Sequence, residues 1–259
     1  MKSIGIIPVR MDSSRYPGKP LKKICGIPMV THVYERTKRS KKLNDVFIAT
    51  CDKEIFNYAS SIGAKVIMTS KKHQRASDRI AEALKKIEKI KGEKIKNIIM
   101  IQGDEPLVDP EMINESILHL NSNDNTKVTN IYTNIKKESD WKNKNIVKVV
   151  NDSESNAIYF SREAIPSTKK FSSAIMAKRQ ICVIGFTNES LNLFQKIKPT
   201  KLEIIESIDM NRLIENGYKV KMIFTNKDPF PVDTYEDLKK IEKIMVKDSL
   251  FKKYKKIYV

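Results

Sequence analysis

The sequence has few cysteines and no long apolar run. Its three cysteines, Cys25, Cys51 and Cys182, are widely spaced and form no C-x-x-C pair, which argues against a disulfide framework or a structural zinc site. No apolar stretch approaches the roughly 18 residues of a membrane span, and Pro8 and Arg10 interrupt the apolar run at the amino terminus before a signal-peptide core is complete. These absences predict a cytoplasmic protein with reduced thiols.

Basic residues exceed acidic ones by a net charge of +18. The excess is lysine dispersed along the whole chain among Glu, Asn and Ile, rather than one basic block with interleaved aromatic residues. A nucleic-acid-binding protein is therefore a weak alternative. A solvated, lysine-rich surface that attracts anionic nucleotides fits the pattern better.

The first hundred residues alternate short apolar, β-branched runs with helical patterns. Strands are expected at 3–9, 46–50, 65–68 and 97–102, and helices at 29–39 and around Ile80, Leu84 and Ile87, which recur at helical spacing. This order is typical of a doubly wound α/β fold with a mixed, mainly parallel sheet. We expect one domain over residues 1–259.

The middle of the chain has a different pattern. Runs at 128–132, 146–150, 157–160 and 180–186 read as successive strands with little helix between them, which predicts a sheet extension or a smaller β-rich lobe at about 125–200. A helix with a capping box at Thr200 and Glu203 is then expected to continue through Leu213 towards Gly217. A last strand at 220–224 and a terminal helix begun by Thr234 complete the chain.

A polar loop directly after the first strand, from Pro8 to Pro20, suits a triphosphate. It contains Ser hydroxyls, a glycine, two arginines and Lys19, and phosphate oxygens need several such donors and cations at once. The loop is neither a Walker A motif nor a G-x-G-x-x-G fingerprint, so neither an ATPase nor a dehydrogenase is indicated.

Two aspartates follow predicted strands. Asp104 comes after the strand that ends at Gln102, and Asp233 lies between the last strand and the terminal helix. Ligands of α/β proteins bind at the carboxyl ends of parallel strands, and Mg²⁺ prefers carboxylate and phosphate oxygens. The pair is therefore a candidate magnesium site, although each aspartate alone could belong to a turn or a helix start.

These segments, in this order, resemble the 3-deoxy-manno-octulosonate (Kdo) cytidylyltransferase family. The family loop P-A-R-x-x-S-x-R-x-P-G-K-P-L is matched from Pro8 to Leu21, with Val9 in place of alanine. Further matches are Ile48-Ala49-Thr50 with Asp52, His73-Gln74, Gln102 to Pro106, Val147 to Val150, Tyr159 to Arg162, Ile165-Pro166, Val232 to Thr234 and Glu236 to Leu238.

The resemblance implies a homodimeric, Mg²⁺-dependent enzyme that uses CTP and a sugar acid. Residues 1–259 would form a single nucleotidyltransferase domain, and the β-rich lobe at about 125–200 would serve sugar binding and dimerisation. The catalytic residues would be Lys19, Asp104, Asp233 and Arg15, with Asp104 and Asp233 on the metal. The nucleotide-binding residues would be Arg10, Ser13, Ser14, Arg15, Lys19, Gln74, Ser77, Arg79 and Gln102. The sugar-binding residues would be Gln102, Arg162, Gln180, Glu206 and Asp209.

The chain departs from the family pattern mainly on the acceptor side. The family R-H-x-G-I-Y-G-Y becomes Arg179 to Phe186 here, with Gln180 in place of the histidine and Ile184 in place of the tyrosine. Asp209 and Met210 replace a glutamate and a glutamine, and Ala76 replaces a glycine of the nucleotide side. A changed pocket leaves different polar groups to be paired by the substrate.

The expected reaction is attack of the anomeric hydroxyl of Kdo, or of a modified Kdo, on the α-phosphorus of CTP, with release of pyrophosphate. Positioning and charge stabilisation would do most of the catalysis, and the sequence singles out no general base. The product would serve lipopolysaccharide or other surface-polysaccharide synthesis. Transfer to a sialic-type acid, a phosphonate or a sugar 1-phosphate is the alternative.

Overall fold

The computed structural model describes residues 2–12, 16–122, 126–167 and 177–258. Ser13, Ser14 and Arg15, which the sequence places in the phosphate loop, lie outside the described residues. The chain divides into two compact units, one of Met1–Asn114 with Pro229–Val259 and one of Glu115–Asp228. The predicted lobe at about 125–200 falls within the second unit, and its exact bounds stay a prediction.

The first unit contains a four-stranded parallel sheet. Its strands are β1 (Ser3–Val9), β4 (Asp45–Thr50), β5 (Lys65–Met68) and β6 (Asn97–Ile101), in the order β6-β1-β4-β5. Strands β1 and β6 are apolar along most of their length because helices cover both faces of such a sheet, and every residue of these two strands is buried. All four strands were predicted from the sequence.

Helices connect and flank these strands. They are α1 (Met29–Thr37), α2 (Lys53–Ser61), α3 (Ala76–Lys91), α4 (Pro110–Asn121), α9 (Tyr235–Met245) and α10 (Ser249–Tyr254). The start of α9 confirms the predicted cap, since Thr234 Oγ1 accepts from Asp237 N and Asp237 Oδ2 accepts from Thr234 N. Two short strands, β2 (Lys23–Ile24) and β3 (Ile27–Pro28), form a hairpin before α1.

The second unit has a largely antiparallel sheet with the strand order β11-β7-β10-β8-β9. The strands are β7 (Val128–Asn134), β8 (Lys148–Asn151), β9 (Ala157–Ser161), β10 (Lys178–Thr187) and β11 (Lys221–Phe224). The β11–β7 pair is parallel and the other three pairs are antiparallel. Its helices are α5 (Glu138–Lys142), α6 (Asn188–Lys196), α7 (Lys201–Glu206) and α8 (Met210–Glu215).

One helix prediction was wrong in its continuity. The single helix expected from Thr200 towards Gly217 is two helices, α7 and α8, because Ser207 adopts a left-handed conformation with φ of 57°. Arg162 Nε donates a hydrogen bond to the carbonyl oxygen of Glu206 at 2.8 Å. The last turn of α7 is therefore hydrogen-bonded to a side chain and does not continue into α8. The apolar periodicity survives the break since Ile208 and Leu213 are both buried.

The fold class is confirmed as mixed α/β with a mainly parallel central sheet. Among the helices of the described residues, none combines the length and apolar character that crossing a bilayer requires.

Candidate active site

The carboxyl ends of β1 and β6 lie next to each other in the first unit and carry the first candidate groups. Arg10 follows β1, and Gln102, Gly103 and Asp104 follow β6. A Cβ at Gly103 would come within 2.0 Å of a Val9 side-chain carbon and 3.1 Å of the Pro8 carbonyl oxygen. Only glycine therefore lets the β6 end pass this close to the start of the phosphate loop.

Backbone contacts fix the two ends of the phosphate loop. Gly18 N donates to Met11 O at 3.1 Å, and Gly18 has a φ of 70° that suits glycine. Met11 N donates to Asp52 Oδ2 at 2.8 Å, so the carboxylate that follows β4 holds the loop that follows β1. Lys19 then begins a 3-10 turn, Lys19–Leu21, which gives its side chain a defined origin.

Lys19 lies between the two predicted metal ligands. Its Nζ is 2.7 Å from Asp104 Oδ2 and 3.4 Å from Asp233 Oδ1. Burial alone would lower the pKa of Lys19, but the two carboxylates outweigh that effect and raise it. The backbone joins the same two segments, since Val232 N donates to Asp104 O at 2.9 Å. Asp104 and Asp233 lie 85 and 214 positions from Lys19 in the sequence, and both contact its ammonium group.

The predicted base-side and ribose-side residues lie at the start of α3. Gln74 is exposed in the preceding loop, and Ser77 is buried in the first turn. Arg79 is also buried, and it donates to Thr69 Oγ1, Ser70 O and His73 O. Its guanidinium therefore holds the loop before Gln74.

Glu82 completes that support, and the sequence reading missed it. Its carboxylate accepts from Ser70 N at 2.9 Å and from His73 Nε2 at 2.5 Å, and pairs with Lys86. Partial burial would raise the pKa of Glu82, but bonds from Lys86, Ser70 and His73 lower it to about 2. The signal was available as the i, i+3 spacing of Arg79 and Glu82 on one helix face.

The predicted sugar-binding residues lie in the second unit. Arg162 follows β9 and donates from Nε to Glu206 O and from a terminal nitrogen to Lys144 O. Gln180 lies in β10, and Asp209 lies at the start of α8. Glu206 faces β9, because its carboxylate accepts from Tyr159 Oη at 2.8 Å, Ser161 Oγ at 2.7 Å and Arg162 N at 2.8 Å.

Lys148 is a second supporting residue that the sequence reading did not single out. It is fully buried, and its Nζ donates to the carbonyl oxygens of Asn143, Ile146 and Arg162 at 2.9, 2.7 and 2.5 Å. Burial lowers the pKa of Lys148 to about 8. This ammonium holds the carbonyl group of Arg162 close to those of Asn143 and Ile146, and Glu206 accepts from the backbone amide of Arg162. The roles of these side chains towards a ligand stay predictions.

The described residues hold no cluster of three or more His, Cys, Asp or Glu side chains placed for a metal ion. The donors that do converge are Asp104 and Asp233, and the ammonium of Lys19 lies between them. A two-carboxylate set fits Mg²⁺, which keeps several waters and is commonly bound by one or two carboxylates together with substrate phosphates.

Comparison with known proteins gives a consistent result. The family model described as "Cytidylyltransferase" matches residues 4–244. A 3-deoxy-manno-octulosonate cytidylyltransferase of Thermodesulfovibrio yellowstonii is 41% identical over 252 residues, which cover 95% of this chain and 98% of the relative. One of Fusobacterium nucleatum is 40% identical and covers 93% of this chain and 96% of the relative.

A solved structure of a CMP:2-keto-3-deoxy-manno-octonic acid synthetase complexed with CTP superposes with a TM-score of 0.85 at 28% identity. The superposition covers 95% of this chain and 99% of the other.

Proposed function

This chain belongs to the 3-deoxy-manno-octulosonate cytidylyltransferase family, and we propose on that premise that it transfers CMP from CTP to the anomeric hydroxyl of a 3-deoxy ulosonic acid. The single observation that carries the proposal is the convergence of Lys19, Asp104 and Asp233 beside the phosphate loop. In the reaction, the anomeric hydroxyl releases its proton to solvent and its oxygen forms a bond to the α-phosphorus. The bond between the α-phosphorus and the oxygen that bridges it to the β-phosphorus breaks, and pyrophosphate leaves with that electron pair. The CMP-sugar would serve synthesis of lipopolysaccharide or another surface polysaccharide.

The first unit supplies groups for both parts of the nucleotide. Arg10 and Lys19 would neutralise phosphate oxygens, and the loop amides would donate to them. Gln74 and Ser77, together with the loop that Arg79 holds, would contact the base and ribose. Lys19 is well placed to shift from the carboxylates to the departing pyrophosphate, because a phosphate group offers it the same charge-assisted bonds that Asp104 and Asp233 give it now.

Asp104 and Asp233 would hold Mg²⁺. When bound, the ion supplies neutralisation of phosphate charge at the point where negative charge accumulates. Two carboxylates already share one cation in this structure, and that sharing supports the assignment. The second unit would bind the sugar acid through Arg162, Gln180 and Asp209, with Arg162 donating to the carboxylate.

A pyrophosphate-release assay with each NTP against a panel of ulosonic acids tests the function. We expect turnover with CTP and Kdo or a modified Kdo. The variant D104N should abolish turnover and keep the wild-type circular dichroism spectrum, whereas D140N, in α5, should keep both the turnover and the spectrum. Near-normal turnover by D104N would contradict the metal assignment, and turnover only with a sialic-type acid, a phosphonate or a sugar 1-phosphate would move the chain to that acceptor.

The changed acceptor side is the observation that keeps this second candidate. Gln180, Ile184 and Asp209 stand where the family pattern has histidine, tyrosine and glutamate. A basic nucleic-acid-binding role has weaker support, namely net charge alone. It would be supported by steeply salt-dependent DNA binding without CTP-dependent pyrophosphate release.

We further propose that the enzyme acts in the cytoplasm as a homodimer. CTP is an intracellular metabolite, and this supports the location. Ile158, Ile204 and Ile205 of the second unit keep 56%, 61% and 76% of their surface exposed, and such apolar residues are candidates for a covered surface. Light scattering after size exclusion should give about twice the mass of the 29.8 kDa chain.

A further inference from the structure

The side chain of Gln180 is bonded to a buried asparagine on the neighbouring strand. Gln180 Nε2 donates to Asn130 Oδ1 at 2.5 Å, and Asn130 in β7 is fully buried. The contact lies where the register between β10 and β7 shifts, since Ile181 pairs with Ile131 and Ile184 pairs with Asn130. This β-bulge leaves backbone carbonyl groups without their regular ladder partners.

The bulge fixes which end of the Asn130 amide faces which neighbour. Asn130 Nδ2 donates to Ile181 O at 2.8 Å and lies 3.3 Å from Val183 O and 3.2 Å from Ile131 O. A flipped amide would place Oδ1 against three carbonyl oxygens and leave them without a donor, which is costly in a buried site. Asn130 must therefore present Oδ1 to Gln180.

That orientation fixes Gln180 in turn. Because Asn130 Oδ1 can only accept, Gln180 has to present its NH₂ group to it, and its carbonyl oxygen points away. Within the described part of the chain, no hydrogen bond to Gln180 Oε1 is found. Ile184, opposite Asn130 in the register, is apolar and buried, so it offers Asn130 no alternative donor.

Gln180 and Arg162 lie at the same level of the sheet. Gln180 N donates to Val147 O at 2.9 Å, and β8 pairs Lys148 with Ser161, so the next pair in this antiparallel register is Val147 and Arg162. Directly opposite residues project on one face. The two residues are therefore two strands apart on the same face, with Cα atoms about 10 Å from each other, a span that suits one eight-carbon sugar acid.

We infer that Gln180 is a specificity-determining hydrogen-bond acceptor, which selects sugar acids that present a hydroxyl or an ammonium donor to its outward carbonyl oxygen. The inference deepens the proposed function and rests on it, because it assumes that Arg162 holds the carboxylate of the sugar acid. A histidine at this position can donate or accept according to its tautomer, whereas the Asn130–Gln180 pair allows one polarity. Sugar acids without the matching donor are disfavoured.

The test compares Kdo with monodeoxy analogues that each lack one non-anomeric hydroxyl group. For the wild type, kcat/KM with one of these analogues should fall about 10- to 100-fold below that with Kdo. The variant Q180M should bring the ratio of kcat/KM with Kdo to kcat/KM with that analogue close to one, because the side chain keeps its length and loses the acceptor oxygen. Q180E puts a carboxylate oxygen against Asn130 Oδ1 in place of the NH₂ donor, so the side chain should lose its fixed orientation and the ratio should fall in this variant too.

A matched control is Q195M, which makes the same substitution in the half-buried Gln195 of α6 and should retain the wild-type ratio for every analogue. The inference is overturned if the wild type shows no such ratio, or if Q180M lowers kcat/KM equally for Kdo and all analogues.

Calorimetric binding of the same acids separates this inference from the proposed reaction. If the wild type releases no pyrophosphate with any acid but binds Kdo with a preference that Q180M removes, the reaction is refuted and the role of Gln180 stands. If neither turnover nor Gln180-dependent binding is found, both are refuted. The deoxy analogues identify one hydroxyl group that Gln180 recognises. The kcat/KM of the sugar acid with an amino group in place of that hydroxyl shows whether an ammonium donor can replace it.

Discussion

Acidification should destabilise the protein through His32, which is fully buried in the first unit. Ile24 O can only accept, so His32 Nε2 carries the hydrogen across 2.9 Å, and Nδ1 accepts from Tyr254 Oη across 2.8 Å. Burial is the main reason that the pKa of His32 is lowered from 6.5 to about 4. The apolar cluster around this ring includes Val232, the neighbour of Asp233, so its packing also supports the candidate active site.

The size of the effect follows from the shift in pKa. Between pH 6.5 and pH 4 the unfolded chain binds a proton at this histidine that the folded protein does not, so the free energy of unfolding falls as the pH falls. Each pKa unit corresponds to about 1.4 kcal/mol, which gives about 2 kcal/mol lost by pH 5 and about 3 kcal/mol by pH 4. Above pH 6.5 the contribution is constant.

Urea denaturation at pH 7.5 and at pH 5 measures this loss. The variant H32Q should start less stable at pH 7.5, because it loses ring packing, but should lose about 2 kcal/mol less than the wild type between the two pH values. H119Q, which replaces the half-buried histidine of α4, is the matched control and should follow the wild-type loss. If H32Q and the wild type lose the same free energy, the titration of His32 is not what destabilises the protein.

Two further changes test supporting contacts. R212M should lower the free energy of unfolding by about 3–5 kcal/mol, because Arg212 makes a buried, bidentate pair with Glu203 at 2.5 and 2.7 Å. The double variant R212M/E203L should regain much of the loss. A free energy of unfolding from urea denaturation that leaves R212M within about 1 kcal/mol of the wild type would contradict this. D52A should raise KM for CTP about 10-fold by releasing Met11 N, a bond to a charged group; an unchanged KM in the pyrophosphate assay would show that the loop keeps its position without Asp52.

Local periodicity was sufficient to predict most of the fold. The strands of the parallel sheet and helix α1 were predicted within about two residues of their observed ends, and the apolar residues predicted to lie in α3 and α9 do lie there, since the spacing of apolar residues reflects the buried face of each element. The break between α7 and α8 could not be predicted because it depends on Arg162, about 45 residues earlier in the chain. The short helix α5 was also missed, within a polar segment where apolar spacing gives no signal.

The candidate site shows the same division between local and distant information. The phosphate loop and the two aspartates are recognisable as sequence segments, and their convergence is confirmed by the contacts of Lys19. The partners of the polar side chains are not recognisable in this way. Arg79 and Glu206 are predicted to contact the ligand, and that role stays a prediction; in this structure Arg79 is bonded to the carbonyl groups of Ser70 and His73, and Glu206 to the amide of Arg162.

Under the proposed function, the same reasoning explains why a substitution at residue 180 alters the choice of sugar acid without altering the fold. A β10 side chain is presented by a ladder that the backbone builds, so glutamine replaces histidine there without disturbing the register with β7 and β8. Its polarity, however, is decided by Asn130 and by the carbonyl groups of the bulge, which belong to other strands. In the first unit, by contrast, Lys19 contacts two carboxylates from distant segments at once, so a substitution at Lys19 would leave both carboxylates without this partner.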